Sequence, residues 1–196
     1  MHKKELLELL ESKGFSSSII NAFSKVPRED FVPLKQKYHA YEDTAIELAD
    51  GSTLSQPSTV AFMLKHLDAH PTAKILEIGS GSGYALALIA QIASGGEIHG
   101  IEINDSLVAS SKEQLKKHAH VHVHKVNGRG GFIRYAPYDR ILVSAAYPYV
   151  PYTLLDQLKI NGVLVVPVGN SIYRLRKRID GVAEKEYPGF SFVKIK

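Results

Sequence analysis

The sequence predicts an α/β fold: a doubly wound, mostly parallel sheet with an N-terminal helical flank and a C-terminal antiparallel hairpin. Three observations predict it. The stretch Lys74–Tyr84, KILEIGSGSGY, is an apolar run that breaks into glycines at 79, 81 and 83 before a long apolar helical pattern, which describes a buried strand, a tight turn and a helix. From there to residue 168, short β-branched runs alternate with helical stretches, the βαβ rhythm of a parallel sheet with helices on both faces. The end of the chain changes character: 172–179, the turn pair Asp180-Gly181 and 182–186 describe a β-hairpin.

Taken in order, residues 2–12 form a short amphipathic helix with Leu6, Leu9 and Leu10 at helical spacing, ended by Gly14. Ser16–Ser18 cap a second helix carrying Ile19, Ile20 and Phe23. Pro27 opens the turn PREDF and Pro33 closes it. Residues 36–57 show no sustained period beyond a turn at Asp50-Gly51, and a loop this long is usually functional. Pro57 starts a helix to Leu67 with Val60, Met63, Leu64 and Leu67 inward. Strand 74–78, helix 83–93, strand 97–103, a helix capped by Asp105 and running to about Lys117, strand 120–125, strand 138–144 and a short helix 152–158 follow. Asn161-Gly162 turns into strand 163–168, and residues 190–195 add a last strand after the hairpin. The whole chain, 1–196, reads as a single domain: a helical flank (1–35), a loop (36–57), an α/β core (58–169) and the hairpin with its last strand (170–196).

Composition narrows the function classes. With 196 residues, 44% apolar and 22% charged, the chain has enough material for one well-formed core. It contains no cysteine, which excludes disulfides and thiolate metal sites. The N-terminal apolar run is interrupted by charges, and no stretch approaches the about 20 apolar residues of a membrane helix. We expect a cytoplasmic protein with no membrane partner. A formal charge of +4 is too weak to argue for nucleic acid.

The Gly-x-Gly-x-Gly spacing differs from the Gly-x-Gly-x-x-Gly of dinucleotide binders. Glu77, two residues before the first glycine, would repel a pyrophosphate and suits a ligand with a cationic amine and a sulfonium, as in S-adenosylmethionine. Glu102, at the end of the next strand, is placed to accept the hydroxyls of a ribose. Asn127-Gly128 follows the third strand, where an amide can pair with an adenine edge, although Asn-Gly is also a common plain turn. Ser55 in TLSQP can bind a carboxylate; neither a nucleophile elbow nor a partnered His/Asp arrangement accompanies it. His118, His120, His122 and His124 alternate onto one strand face, which reads as a solvated edge and not as a metal site. Arg174, Arg176 and Arg178 alternate in the same way and read as the exposed face of the hairpin.

With these pieces in place the chain resembles the protein-L-isoaspartate (D-aspartate) O-methyltransferase family, class I S-adenosylmethionine-dependent methyltransferases with a Rossmann-like fold. The resemblance rests on VPREDFVP (26–33), AYED (40–43), TLSQP (53–57), ILEIGSGSGY (75–84), IEI (101–103), YAPYDRILVSAA (135–146) and LLDQLKINGVLVVPVG (154–169). It implies a protein repair enzyme that moves a methyl group from S-adenosylmethionine, leaving S-adenosylhomocysteine, to the α-carboxylate of L-isoaspartyl residues in damaged proteins or peptides. The loop 36–57 is then the substrate loop and 58–169 the cofactor-binding core. The family's active-site serine falls on Ser55. Its cofactor contacts fall on Thr53, Leu54 and Ser55, on the turn with Glu77, Gly79, Ser80, Gly81 and Gly83, on Glu102 and Ile103, and on Asn127 and Gly128. No metal is implied, and a monomer is expected. Asn127 stands where the family usually carries an acidic residue. Two other readings fit the same residues: a related carboxyl methyltransferase acting on a specific peptide aspartate, and a cofactor-binding paralogue without repair activity.

Overall fold

The computed structural model describes residues 1–48 and 51–195. Its N-terminal flank is α1 (Lys3–Ser12) and α2 (Ser17–Lys25), followed by 3-10 turns over Arg28–Phe31 and Leu34–His39. Leu6 and Leu10 of α1 and Ile19, Ala22 and Phe23 of α2 are buried, so the apolar spacing read from the sequence does set the inward faces. Ser16 occupies the N-cap position of α2 with extended backbone, but its hydroxyl makes no capping bond. The long loop contains a small ribbon of its own, β1 (Ile46–Glu47) paired antiparallel with β2 (Thr53–Leu54). The turn expected at Asp50-Gly51 lies outside the described residues.

The main sheet is built from β3 (Lys74–Ile78), β4 (Glu97–Glu102), β5 (Val121–Lys125), β6 (Tyr138–Val143), β7 (Leu158–Val168), β8 (Ser171–Arg178) and β9 (Gly181–Pro188), with α3 (Pro57–Leu67) before it and α4 (Tyr84–Ile92) and α5 (Asp105–Leu115) between its first strands. The spatial order is β5-β4-β3-β6-β7-β8-β9. Pairings from β5 through β7 are parallel, and the last two are antiparallel. The chain winds outward from β3 to β5 and then returns to the other side of β3. The strand order therefore reverses beside β3, and a crevice opens at the carboxyl ends of the strands.

Strand alternation divides the core in two. Ile75, Leu142, Val163 and Val165 face a cluster that contains buried residues from each of the five α-helices. Leu76, Ile78, Ile141, Val143, Leu164 and Val166 face the other side, which is covered by Tyr138, Tyr147 and a 3-10 turn at Tyr152–Gln157. The α-helices thus gather on one face, and shorter turns serve the other. The reason lies in the β5–β6 crossover, where Gly128, Gly130, Gly131 and Pro137 leave no run able to hold an α-helix.

Four boundaries differ from the sequence reading. Asn104, not Asp105, caps α5, accepting the Leu107 N–H at 3.1 Å. The segment 152–158 closes as a 3-10 turn. β7 begins at Leu158 and runs through Asn161-Gly162. Asn161 takes φ +67°, and the register against β6 slips there because Tyr138 pairs with Leu158 but Arg140 with Val163. The expected last strand is reduced to a tail tied by Ala146 N–H to Val193 O and Ile195 N–H to Ala146 O.

Candidate active site

The glycine turn leaves β3 at Ile78. Gly79, Gly81 and Gly83 adopt φ of +76°, +54° and +87°, a region that side chains rarely enter. The N–H groups of Gly79 and Ser80 both donate to the Ile101 carbonyl, at 2.9 and 3.1 Å, so the turn is strapped to the end of β4. A Cβ on Gly83 would lie 2.9 Å from Leu115, so this glycine lets α4 close onto α5 instead of lining the crevice. Ser80 is buried beneath the turn, and its hydroxyl has no partner among the described residues.

Glu102 ends β4 against this turn. Its carboxylate accepts N–H groups from Gly81 at 2.9 Å, Ile103 at 2.7 Å and Asn104 at 2.9 Å. These backbone donors fix its orientation while it still lines a cavity of about 100 Å3. Thr53, Gly79, Gly81, Ile103 and Gly128 line the same cavity. Gly128 is required by close approach: a Cβ there would sit 2.6 Å from Ile78. Asn127 itself does not line the cavity; its side-chain oxygen accepts the Arg129 N–H at 3.2 Å.

Glu77 behaves differently. It is buried behind Ser144, whose hydroxyl donates to Glu77 Oε1 at 2.7 Å, while Oε2 has no partner among the described residues. Burial pushes its carboxyl up to about 8, the Ser144 hydrogen bond works in the opposite direction, and the charge of Glu102 pushes it further up. Ser144, not Glu77, reaches the cavity wall.

Ser55 lines a neighbouring cavity of about 800 Å3 with Gln56, Ser58 and Phe62. Thr53 and Val193 belong to the walls of both cavities, so the serine and the glycine turn open onto adjoining space. Leu54, between them in sequence, points into the core and does not line the crevice. The segment is held from behind. Arg28 Nη2 donates to the Ser55 carbonyl at 2.9 Å, and Asp43 accepts the Ser58 N–H at 2.8 Å and Gln56 Nε2 at 3.3 Å. Sequence reasoning assigned no role to Arg28, Asp43, Ser144 or the tail at Val193–Ile195. Ser144 carried a usable signal, a hydroxyl directly after a parallel strand. The others meet the site through contacts distant in sequence.

Only His122 and His124 lie on the edge strand β5, since His118 and His120 precede its first residue, Val121, and the strand face is partly covered. His99 of β4 contacts His124 at 3.1 Å and Glu97 at 2.9 Å, under Tyr135, and burial holds the His124 imidazole down at about 4. Among the described residues no three potential ligands converge on a metal position. Arg174 departs from the expected exposed face: its Nε donates to the His66 carbonyl in the last turn of α3, at 2.9 Å.

A parallel sheet with a glycine turn after its central strand, and an acidic residue anchored at the end of the next, is the architecture of the class I methyltransferases. The sequence profile of the protein-L-isoaspartate(D-aspartate) O-methyltransferase family matches residues 1–195, and the chain belongs to that family. Curated protein-L-isoaspartate O-methyltransferases from Roseiflexus castenholzii and Methanopyrus kandleri are 39% and 37% identical to it, each across 97% of this chain and 90% and 89% of their own lengths. A solved protein-L-isoaspartate O-methyltransferase superposes with TM-score 0.88 at 25% identity, over 100% of this chain and 66% of that longer one. A Plasmodium falciparum protein solved in complex with S-adenosyl-L-homocysteine shares the fold, with TM-score 0.86 at 24% identity over 100% of this chain and 99% of that one.

Proposed function

We propose that this chain transfers a methyl group from S-adenosylmethionine to the α-carboxylate of L-isoaspartyl residues in damaged proteins or peptides, acting as a cytoplasmic monomer. The observation that carries the reading is the adjoining pair of cavities, one walled by the glycine turn and Glu102 and the other by Ser55, joined at Thr53 and Val193. The residues present suit the cofactor. The Glu102 carboxylate is held by backbone N–H groups and retains acceptor capacity for a ribose diol. Glu77 lies behind Ser144, outside the cavity wall, with one oxygen unpartnered among the described residues, so it acts on the cofactor's cationic amine only through Ser144. When bound, S-adenosylmethionine supplies a sulfonium methyl, an electrophile that needs no acid catalysis.

The protein's own work is then binding, orientation and exclusion of water. A peptide carboxylate is already ionised at pH 7, so no general base is required. The Ser55 hydroxyl donates a charge-assisted hydrogen bond that aims the carboxylate oxygen. The tail at Val193–Ile195 walls the crevice and limits water at the reacting centre.

The test is labelled methyl transfer to a short isoaspartyl peptide, with the aspartyl twin as control. The expected result is base-labile label on the isoaspartyl peptide alone. Ser55→Ala is expected to lower kcat by about 10-fold to 100-fold, in line with loss of one or two charge-assisted contacts, and to leave the cofactor Kd within about twofold. Label on neither peptide, with cofactor still bound, would refute the substrate assignment.

A further inference from the structure

Arg28 is fully buried, at 0% exposure, in the 3-10 turn that follows α2. Of its guanidinium nitrogens, Nη2 reaches the Ser55 carbonyl at 2.9 Å, while Nε and Nη1 have no hydrogen-bond partner among the described residues. It forms no ion pair among those residues; burial lowers its pKa, and the Tyr84 side chain, ahead of Asp43 and Tyr41, works in the opposite direction. Its other neighbour is Tyr84, the first residue of α4 directly after the glycine turn, with the guanidinium carbon 4.9 Å from the ring centroid. Phe23 and Phe31 fix that ring from their own sides, with centroids at 6.1 and 5.5 Å. The guanidinium therefore spans the gap between the serine segment and the start of the helix that carries the glycine turn.

Such an arrangement is costly for folding alone. A guanidinium keeps its proton in a protein interior, and a buried cation with unmade hydrogen bonds is less favourable than an apolar side chain of like volume. What Arg28 does provide is a rigid link between two segments far apart in sequence, plus positive charge without an ion-pair partner among the described residues, behind the serine where an anionic substrate group arrives.

We propose that Arg28 is a positioning residue for methyl transfer: through the Ser55 carbonyl and the Tyr84 ring it sets the serine hydroxyl relative to the glycine turn, and its charge favours the substrate carboxylate there. This rests on the reading of Ser55 as the carboxylate-binding group. The test compares Arg28→Met, Arg28→Lys, Ser55→Ala and the double variant Ser55→Ala/Arg28→Met by steady-state kinetics with an isoaspartyl peptide, by cofactor titration and by thermal melting.

Arg28→Met is expected to bind cofactor stoichiometrically with Kd within twofold of the parent, to melt no earlier, and to lose about 10-fold or more in kcat/KM for the peptide. Arg28→Lys, which restores charge without the planar fork, is expected to recover part of that loss. The double variant is expected to lose less than the product of the two single losses, because the positioning part of both acts through one hydroxyl. Should Arg28→Met fail to fold, Arg28→Lys carries the test with the same readouts. Unimpaired turnover in Arg28→Met, or in a lysine variant standing in for it, overturns the proposal alone if Ser55→Ala is impaired. So does a loss fully matched by lost cofactor stoichiometry. Unimpaired Ser55→Ala overturns the serine reading and this one with it.

Discussion

The ends of β3 and β4 lie side by side and each carries a buried glutamate, yet the two carboxylates are in opposite conditions. Glu102 stands where β4 gives way to α5, and the free N–H groups of Ile103 and Asn104, joined by that of Gly81, converge on it. Glu77 stands inside β3, whose backbone groups are engaged by ladders to β4 and β6 on either side. It is left with one hydroxyl, from Ser144, and an oxygen without a partner among the described residues. Burial is nearly the same, 1% and 8% exposure, so the supply of donors separates the two. One strand end holds a carboxylate fixed by three backbone donors. The other holds a carboxyl that burial pushes up to about 8.

That contrast can be broken experimentally. The largest effect is expected from Glu102→Ala, which removes the proposed ribose acceptor and leaves three backbone donors unmet; at about 1.5–3 kcal/mol per charge-assisted bond, the cofactor Kd should rise by about 100-fold, read by calorimetry. An unchanged Kd would take Glu102 out of the site.

Glu77→Gln sharpens the comparison through pH. With its native value raised to about 8 above the ordinary 4.5, the folded protein retains a proton that the unfolded chain has already lost between those limits. Stability must fall as pH rises through that window, with a slope approaching about 1.4 kcal/mol per unit. The glutamine variant lacks this slope, so its advantage over the parent should grow from pH 5.5 to pH 8 in denaturant titrations. Parallel profiles would mean that Glu77 is ionised in the fold and that the contrast is false.

Ser144→Ala removes the bond favouring the charged form and is expected to push the Glu77 transition to still higher pH, with a stability change of about 1 kcal/mol. The smallest effect is expected at Asn127, whose oxygen serves its own turn. Asn127→Ala should leave the cofactor Kd within about threefold, since it removes only an exposed turn contact of about 0.5–1 kcal/mol. A tenfold loss would place the amide in the site.

Much of this was legible beforehand because it is local. The strand–turn–helix of KILEIGSGSGY, the β8–β9 hairpin and the apolar faces of α1 to α3 follow from periodicity and turn chemistry, and family membership from motifs that survive as contiguous strings. Of the residues expected at the cofactor, Thr53, Gly79, Gly81, Glu102, Ile103 and Gly128 do meet around one cavity. Leu54, Gly83 and Asn127 share their motifs but serve the core, the α4–α5 contact and a local turn. A motif marks a backbone path; which side chains along it face the crevice depends on what packs behind.

The amino-acid sequence by itself determined the strand–turn–helix at the centre, the C-terminal hairpin and the family, because glycine conformation, proline placement and strand alternation act over a few residues. Only the tertiary structure decided which glutamate is met by backbone donors, that Asn104 and not Asp105 caps α5, and that Arg28 lies beneath Ser55 against Tyr84. Those outcomes depend on hydrogen-bond donors and buried surface brought together from segments tens of residues apart, and no local pattern encodes that convergence.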